Sequence, residues 1–146
     1  MRGAKVLLVE KNRPEWQAGL LNAIGGEIEP GENPHDAMVR EFEEETGRRV
    51  SGWQFFASET GPDYMVHFYR QRIAPEDDWR SPYKNDVGEY MAWYTIEVGG
   101  LVTSMSVPAV RPMIGNLGWL LPLCLDPRDI YVTARTTSNI KEIKTW

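Results

Sequence analysis

Cysteine and histidine are scarce: one cysteine, Cys124, and two histidines, His35 and His67, in 146 residues. A lone cysteine cannot close an internal disulfide, and the two histidines are not spaced as a metal-ligand pair. His35 and His67 therefore read as structural or surface residues, and Cys124, within an apolar stretch, as a buried small side chain. Apolar runs of bilayer length are missing too. The opening "MRGAKVLLVE" lacks the apolar core and small-residue cleavage site of a signal peptide, so the expectation is a cytoplasmic protein with no membrane partner. Basic charge is in deficit, with 16 Lys and Arg against 21 Asp and Glu and a formal net charge of −5. That balance argues against general affinity for nucleic-acid backbones, although an acidic protein can still take phosphates through a metal bridge. Repeats, low-complexity tracts and linkers are absent as well. What remains is a globular composition, 42% hydrophobic and 25% charged, and a length that suits a single domain over residues 1–146.

Hydrophobic patterning places the elements. "AKVLLVEKN" has the apolar run of a buried strand, "RPEWQAG" follows as a loop, and "LLNAIGGEIE" reads as a second short strand. "PGENP" is turn chemistry. Asn33 is placed to cap a helix with Pro34 at its first position, where a missing N–H costs nothing, and Asp36 sits near the positive end of the helix dipole. Gly47 supplies the left-handed stop, so "PHDAMVREFEEET" makes about three to four turns. Met38 and Phe42, one turn apart, are its expected buried stripe. "GWQFFASE", "YMVHFYRQRI" and "EYMAWYTIE" read as strands, and "NLGWLLPLCLD" as a short helix whose far end Pro122 disturbs. The tail "RDIYVTARTTSNIKEIKTW" suits an edge strand or a partner-contact segment. The order predicts a mixed sheet with helices on its faces.

The helix carries an oddity. Glu41, Glu44 and Glu45 share one face, within about a quarter to a third of the circumference. Like charges at these spacings destabilise an isolated helix by about 0.2–0.5 kcal/mol per pair. Two readings follow. One is a solvated acidic face, with Arg40 pairing to Glu44 and Glu43 simply hydrated. The other is a site for a hard divalent cation such as Mg²⁺, which prefers carboxylate oxygens, keeps several waters and can bind substrate phosphates at the same time.

Five residues separate Gly26 from Glu32, seven more lead to Arg40, and "REFEEETG" runs from there to Gly47. This pattern resembles the signature of the Nudix hydrolases, in which a glycine, a glutamate and then Arg-Glu-apolar-x-Glu-Glu-x-Gly follow at those spacings; it looks like a MutT-like pyrophosphohydrolase. Every charged and glycine position matches. One position departs, since Arg48 stands where the family usually has an aliphatic residue. The resemblance implies an α/β fold, a Nudix-type α/β/α sandwich with a mixed sheet and the loop-helix-loop of the box. It implies that Glu41, Glu44 and Glu45, aided by the carbonyl of Gly25, hold one or more Mg²⁺ ions, with Mn²⁺ as an alternative. Arg40 and Glu32 would be a supporting pair orienting the loop against the helix. The implied reaction is metal-assisted attack of water on a pyrophosphate, with a carboxylate taking the proton: Glu41 as first choice and Glu89 as second. Glu89 also reads as an exposed residue at a strand start.

Substrate recognition is less sharply written. Asn22, before the paired glycines, is similar to the branch that removes oxidised purine nucleoside triphosphates, where an asparagine there hydrogen-bonds the base; its amide offers both donor and acceptor. Asn116, in "IGNLGWLLP", stands where that branch has an acidic residue, and also reads as a turn or cap residue. Among Trp16, Trp53, Trp93, Trp119 and Tyr83, Trp16 is the best candidate for stacking on a base, the others suiting a core. The leading expectation is cleavage of a nucleoside triphosphate to monophosphate and pyrophosphate. The resemblance also covers ADP-ribose, dinucleotides and capped RNA; the last fits less well because no basic run marks a path for a polynucleotide. A chain starting directly at its first strand leans toward the triphosphate. A nucleotide sensor that does not cleave is the rival class, and homodimers are common in the family.

Overall fold

The structure is a computed structural model that describes residues 4–73, 83–96, 102–104 and 113–137. In chain order its elements are β1 (Ala4–Glu10), a 3-10 turn (Glu15–Gln17), β2 (Leu21–Asn22), α1 (Pro34–Thr46), β3 (Gln54–Thr60), β4 (Met65–Arg70), β5 (Tyr83–Lys84), β6 (Tyr90–Ile96), β7 (Val102–Ser104), α2 (Leu117–Leu125) and β8 (Val132–Arg135). Contacts divide the chain into two compact units, the first from Met1–Ala23, Trp79–Leu125 and Ile143–Trp146, the second from Ile24–Asp78 and Asp126–Glu142. The mixed α/β class is as the sequence implied. Its strands, however, form two sheets, one antiparallel and one mixed. Among the described residues no helix is long and apolar enough to cross a membrane.

The first unit holds the order β2-β1-β6-β5, with β7 also on β6, all antiparallel. The apolar run of β1 buries Leu8 and Val9, and on its neighbour β6 Met91 and Tyr94 are buried. The turn between β1 and β2 is closed by the Lys11 N–H on the Leu20 carbonyl at 3.0 Å and the Gly19 N–H on the Lys11 carbonyl at 2.8 Å. The expected second strand shrinks to Leu21–Asn22, and Ile24–Glu29 leave the ladder. Helix α2 runs through Pro122 to Leu125. Burial of Leu117, Leu120 and Leu121 outweighs the backbone hydrogen bond that the proline cannot donate. Cys124 is half-buried rather than buried. The side chain of Tyr83 lies outside the described residues.

The second unit holds the order β4-β3-β8, in which β3 pairs antiparallel with β4 and parallel with β8. The register of β3 on β4 shifts between Phe55 and Ala57, so the adjacent Phe56 and Ala57 are both buried where strict alternation would expose one. Among the described residues β8 lies at the edge of this sheet, one of the two placements the tail suits; residues 138–146 lie outside the description. Arg70, at the end of β4, is 7% exposed and is satisfied locally. It donates to Gln54 Oε1 at 3.0 Å, to the Asp126 carbonyl at 2.5 Å and to the Arg128 carbonyl at 2.9 Å, fixing the turn that leads into β8.

Candidate active site

The box helix begins and ends as its sequence dictates. Asn33 Oδ1 accepts from the Asp36 N–H at 2.9 Å, Pro34 opens α1, and Gly47 closes it at φ +72° with its N–H on the Glu43 carbonyl at 2.8 Å. The buried face is Ala37, Val39 and Phe42, with Met38 only half-buried, so the expected stripe was right at Phe42 and displaced by one residue at Met38. Phe42 meets the Trp53 ring edge to face, centroids 4.9 Å apart, and Trp53 Nε1 donates to the Val50 carbonyl at 2.8 Å. These contacts fix the helix rotation and hence the side that carries the carboxylates.

Arg40 ties that side to the preceding loop. Its Nε and Nη2 form a two-pronged pair with Glu32 Oε1 and Oε2 at 2.9 and 3.0 Å, and Nη2 also donates to the Glu27 carbonyl at 2.9 Å. Glu32 Oε2 in turn accepts from the Glu29 N–H at 3.0 Å. The Arg40 hydrogen bond comes first, and the Glu29 N–H second, in holding the Glu32 carboxyl below its ordinary range; the same pairing raises the arginine. The remaining nitrogen, Nη1, lies 2.7 Å from Glu41 Oε1 and 3.3 Å from Glu44 Oε2. Glu43, expected to be only hydrated, pairs with Arg49 at 2.7 Å across the exposed surface. Arg48, in place of the aliphatic residue, is exposed, and its N–H donates to Thr46 Oγ1 at 3.2 Å.

Do these residues suit a hard cation? The donor set is right: three carboxylates on one helix face, with Glu45 half-buried. Two of the three already converge on a shared position of positive charge, Arg40 Nη1. Close backbone approach occurs at Gly26, where a Cβ would overlap the Glu41 carboxylate. At Gly25, whose carbonyl the resemblance assigns to the metal, a Cβ would meet nothing within 4 Å. Among the described residues no three His, Cys, Asp or Glu side chains stand as a ready ligand set. Glu41 and Glu44 are turned onto the guanidinium instead.

The other candidate residues belong to the first unit. Glu89 is 2% exposed, which overturns its reading as an exposed strand-start residue. Its carboxylate accepts from Lys11 Nζ at 3.1 Å and from the Asn12 N–H at 3.2 Å, and Asn85 Oδ1 accepts from its N–H at 2.9 Å. Neither Lys11 nor Asn12 was singled out from sequence. Their contact with Glu89 spans just over half the chain, and no local signal announces it. Asn22, half-buried at the end of β2, donates from Nδ2 to Gln17 Oε1 at 3.1 Å and accepts the Ala23 N–H on Oδ1 at 2.8 Å. Each end keeps one further hydrogen-bonding position. Trp16 sits half-buried in the 3-10 turn beside Gln17. Asn116 directly precedes α2, and its carbonyl accepts the Leu120 N–H at 3.1 Å, the cap-like placement of its plainer reading.

Residues 1–110 match the NUDIX domain family. The chain belongs to the Nudix family. Among its Nudix relatives, it is 39% identical over 57 residues to the CTP pyrophosphohydrolase of Escherichia coli (strain K12), covering 39% of this chain and 42% of that protein. It is 30% identical over 84 residues to the NAD-capped RNA hydrolase NudC of Pseudomonas fluorescens, covering 53% of this chain and 30% of the relative. The human NAD-capped RNA hydrolase NUDT12 is 40% identical over 60 residues, 41% of this chain and 13% of the relative. The chain thus spans less than half the length of each of these Nudix relatives.

Proposed function

We propose that this Nudix protein is a metal-dependent pyrophosphohydrolase acting on nucleotides, with a nucleoside triphosphate as the leading substrate and a nucleoside monophosphate and pyrophosphate as products. The observation that carries the reading is Arg40. One side chain grips the loop at Glu27 and Glu32 and also reaches two of the three helix carboxylates, so the loop is tied to the face of the helix that carries them.

In this reading Glu41, Glu44 and Glu45, with the Gly25 carbonyl, hold Mg²⁺ or Mn²⁺. The metal, when bound, neutralises the pyrophosphate and makes an attacking water more acidic. Glu41 accepts that water's proton; its carboxylate packs against Gly26, a position from which any larger residue would push it. Glu89 remains the second choice as base, and its ion pair with Lys11 would have to loosen for it to serve. Asn22 offers a free donor and acceptor position to a base edge, Trp16 a stacking surface, and Asn116 a weaker candidate contact. The Escherichia coli relative, by its name a CTP pyrophosphohydrolase, supports a triphosphate and broadens the base panel to pyrimidines. A second reading, cleavage of a dinucleotide such as NADH or of ADP-ribose, draws support from the relatives named NAD-capped RNA hydrolases.

The test is incubation with Mg²⁺ and a panel of CTP, normal and oxidised dNTPs, ADP-ribose, NADH and a dinucleoside polyphosphate, with products separated by ion exchange. Monophosphate plus pyrophosphate from a triphosphate is the expected result, lost in Glu44→Gln and Glu45→Gln variants that stay folded. Cleavage confined to NADH or ADP-ribose would move the assignment to the second reading. Nucleotide binding without turnover in the unmodified protein would make it a sensor and overturn both.

A further inference from the structure

The box presents a contradiction in its own chemistry. Its three carboxylates share a helix face suited to a divalent cation, yet among the described residues they do not stand as a ready ligand set. Arg40 accounts for this. The two edges of its guanidinium do different things. The edge made by Nε and Nη2 is saturated by Glu32 at 2.9 and 3.0 Å and by the Glu27 carbonyl at 2.9 Å, all on the loop. The outer nitrogen, Nη1, lies on the helix side, 2.7 Å from Glu41 Oε1 and 3.4 and 3.3 Å from the two oxygens of Glu44. The loop edge is tight and two-pronged. The helix edge is uneven, and Glu44 at its far end is 58% exposed.

We propose that Arg40 Nη1 is a built-in counter-ion of Glu41 and Glu44 that competes with a divalent cation for them. The inference rests on the metal-site reading above and adds a role that a simple supporting pair would not have. Binding of the cation draws the oxygens of Glu41 and Glu44 away from Nη1, while the Glu32 and Glu27 contacts persist and keep the loop in place. The like-charge repulsion along the helix is thus relieved in both states, by the arginine in one and by the metal in the other. Metal affinity is lower than the three carboxylates alone would give.

Direct metal binding tests this without any turnover. Mn²⁺ binding would be followed by electron paramagnetic resonance in the unmodified protein and in Arg40→Gln, Arg40→Lys and Glu32→Gln. Competition predicts that Arg40→Gln binds Mn²⁺ more tightly, by about three- to tenfold, since a unit positive charge within hydrogen-bonding distance has been removed. Arg40→Lys, which keeps the charge but cannot reproduce the two-pronged pair with Glu32, should gain less affinity than Arg40→Gln, and an equal gain in both overturns the proposal. Glu32→Gln, which cuts the loop edge and leaves Nη1, should not gain affinity. A pure supporting role predicts the reverse sign for Arg40→Gln, and weaker binding there overturns the proposal while leaving the metal site intact. Absence of Mn²⁺ binding in the unmodified protein overturns the metal-site reading and the proposal together. A measurement without substitutions is the guanidinium ¹⁵N spectrum during Mg²⁺ titration: Nη1 signals should shift while Arg40 Nε–H stays protected. Unmoved Nη1 signals at saturating Mg²⁺ overturn the proposal.

Discussion

Lys11 Nζ and Glu89 Oε2 form an ion pair at 3.1 Å that joins the end of β1 to the start of β6 across 78 residues of sequence. The carboxylate is 2% exposed and the lysine 18%. Removing the lysine alone would strand a buried charge, the costly way to break such a pair. Lys11→Met should therefore lower stability by about 2–3 kcal/mol in urea denaturation, below the range for fully buried pairs because the lysine keeps some contact with water. The double variant Lys11→Met, Glu89→Gln should recover part of that loss. Equal destabilisation in both would show that the charge is not what matters there.

Gly26 faces the Glu41 carboxylate so closely that a methyl group cannot fit beside it. Glu41 is flexible at its far end, so Gly26→Ala should fold normally while displacing the carboxylate. A displacement of about 1 Å at a reacting group is enough to reduce turnover by about 100-fold. The expected signature is kcat down with the melting temperature nearly unchanged. Unchanged kcat would remove Glu41 from the proton-transfer role.

Asp126 and Arg128 make a small acid-sensitive clasp before β8. Hydrogen bonds from the Arg128 side chain and then its backbone N–H lower the Asp126 carboxyl from 3.8 to about 2. A depressed acid contributes stability that is complete above its unfolded value and is lost as pH falls through its folded value. The clasp should thus hold at neutral pH and weaken between about pH 4 and about pH 2. Carboxyl ¹³C titration should give a midpoint near the lower figure, moving toward 3.8 in Arg128→Gln.

Phe42 anchors α1 through Trp53 and is buried. Phe42→Ala should cost about 3–4 kcal/mol, by lost burial and the cavity left behind. Trp53 loses its edge-to-face partner, so its fluorescence should change in the folded variant as well as in the unfolding midpoint.

What could be read in advance followed from how local the physics is. Asn33, Pro34 and Gly47 gave both ends of α1 because capping acts within four residues. The Arg40 contacts with Glu32 and Glu44 were foreseeable from box spacing and from one turn of helix. Met38 was misjudged because Ala37 and Val39 bury as well, and a 3.6-residue period leaves the centre of a stripe uncertain by one position. The short strands β5 and β7 carry too few residues to show a pattern and exist through their pairing with β6. Burial of Glu89 and Arg70 depended on partners 78 and 56 residues away, beyond any local pattern. That Arg40 Nη1 also reaches Glu41 needed distances, since sequence shows which charges are near but not which way they turn.

The parallel pairing of β3 with β8 has a consequence for a chain still being made. The second unit contains Ile24–Asp78 and is completed only by Asp126–Glu142. As the polypeptide leaves the ribosome, the box helix and the β3–β4 hairpin emerge first, and β3 waits with one edge uncovered until β8 arrives. An uncovered strand carrying the adjacent apolar residues Phe56 and Ala57 is a template for pairing with another chain. Premature termination, or a fragment trimmed to residues 1–110, would leave the glutamates in place and turn that waiting edge into a permanent one, so such chains should aggregate through β3 even though every residue of the box is present.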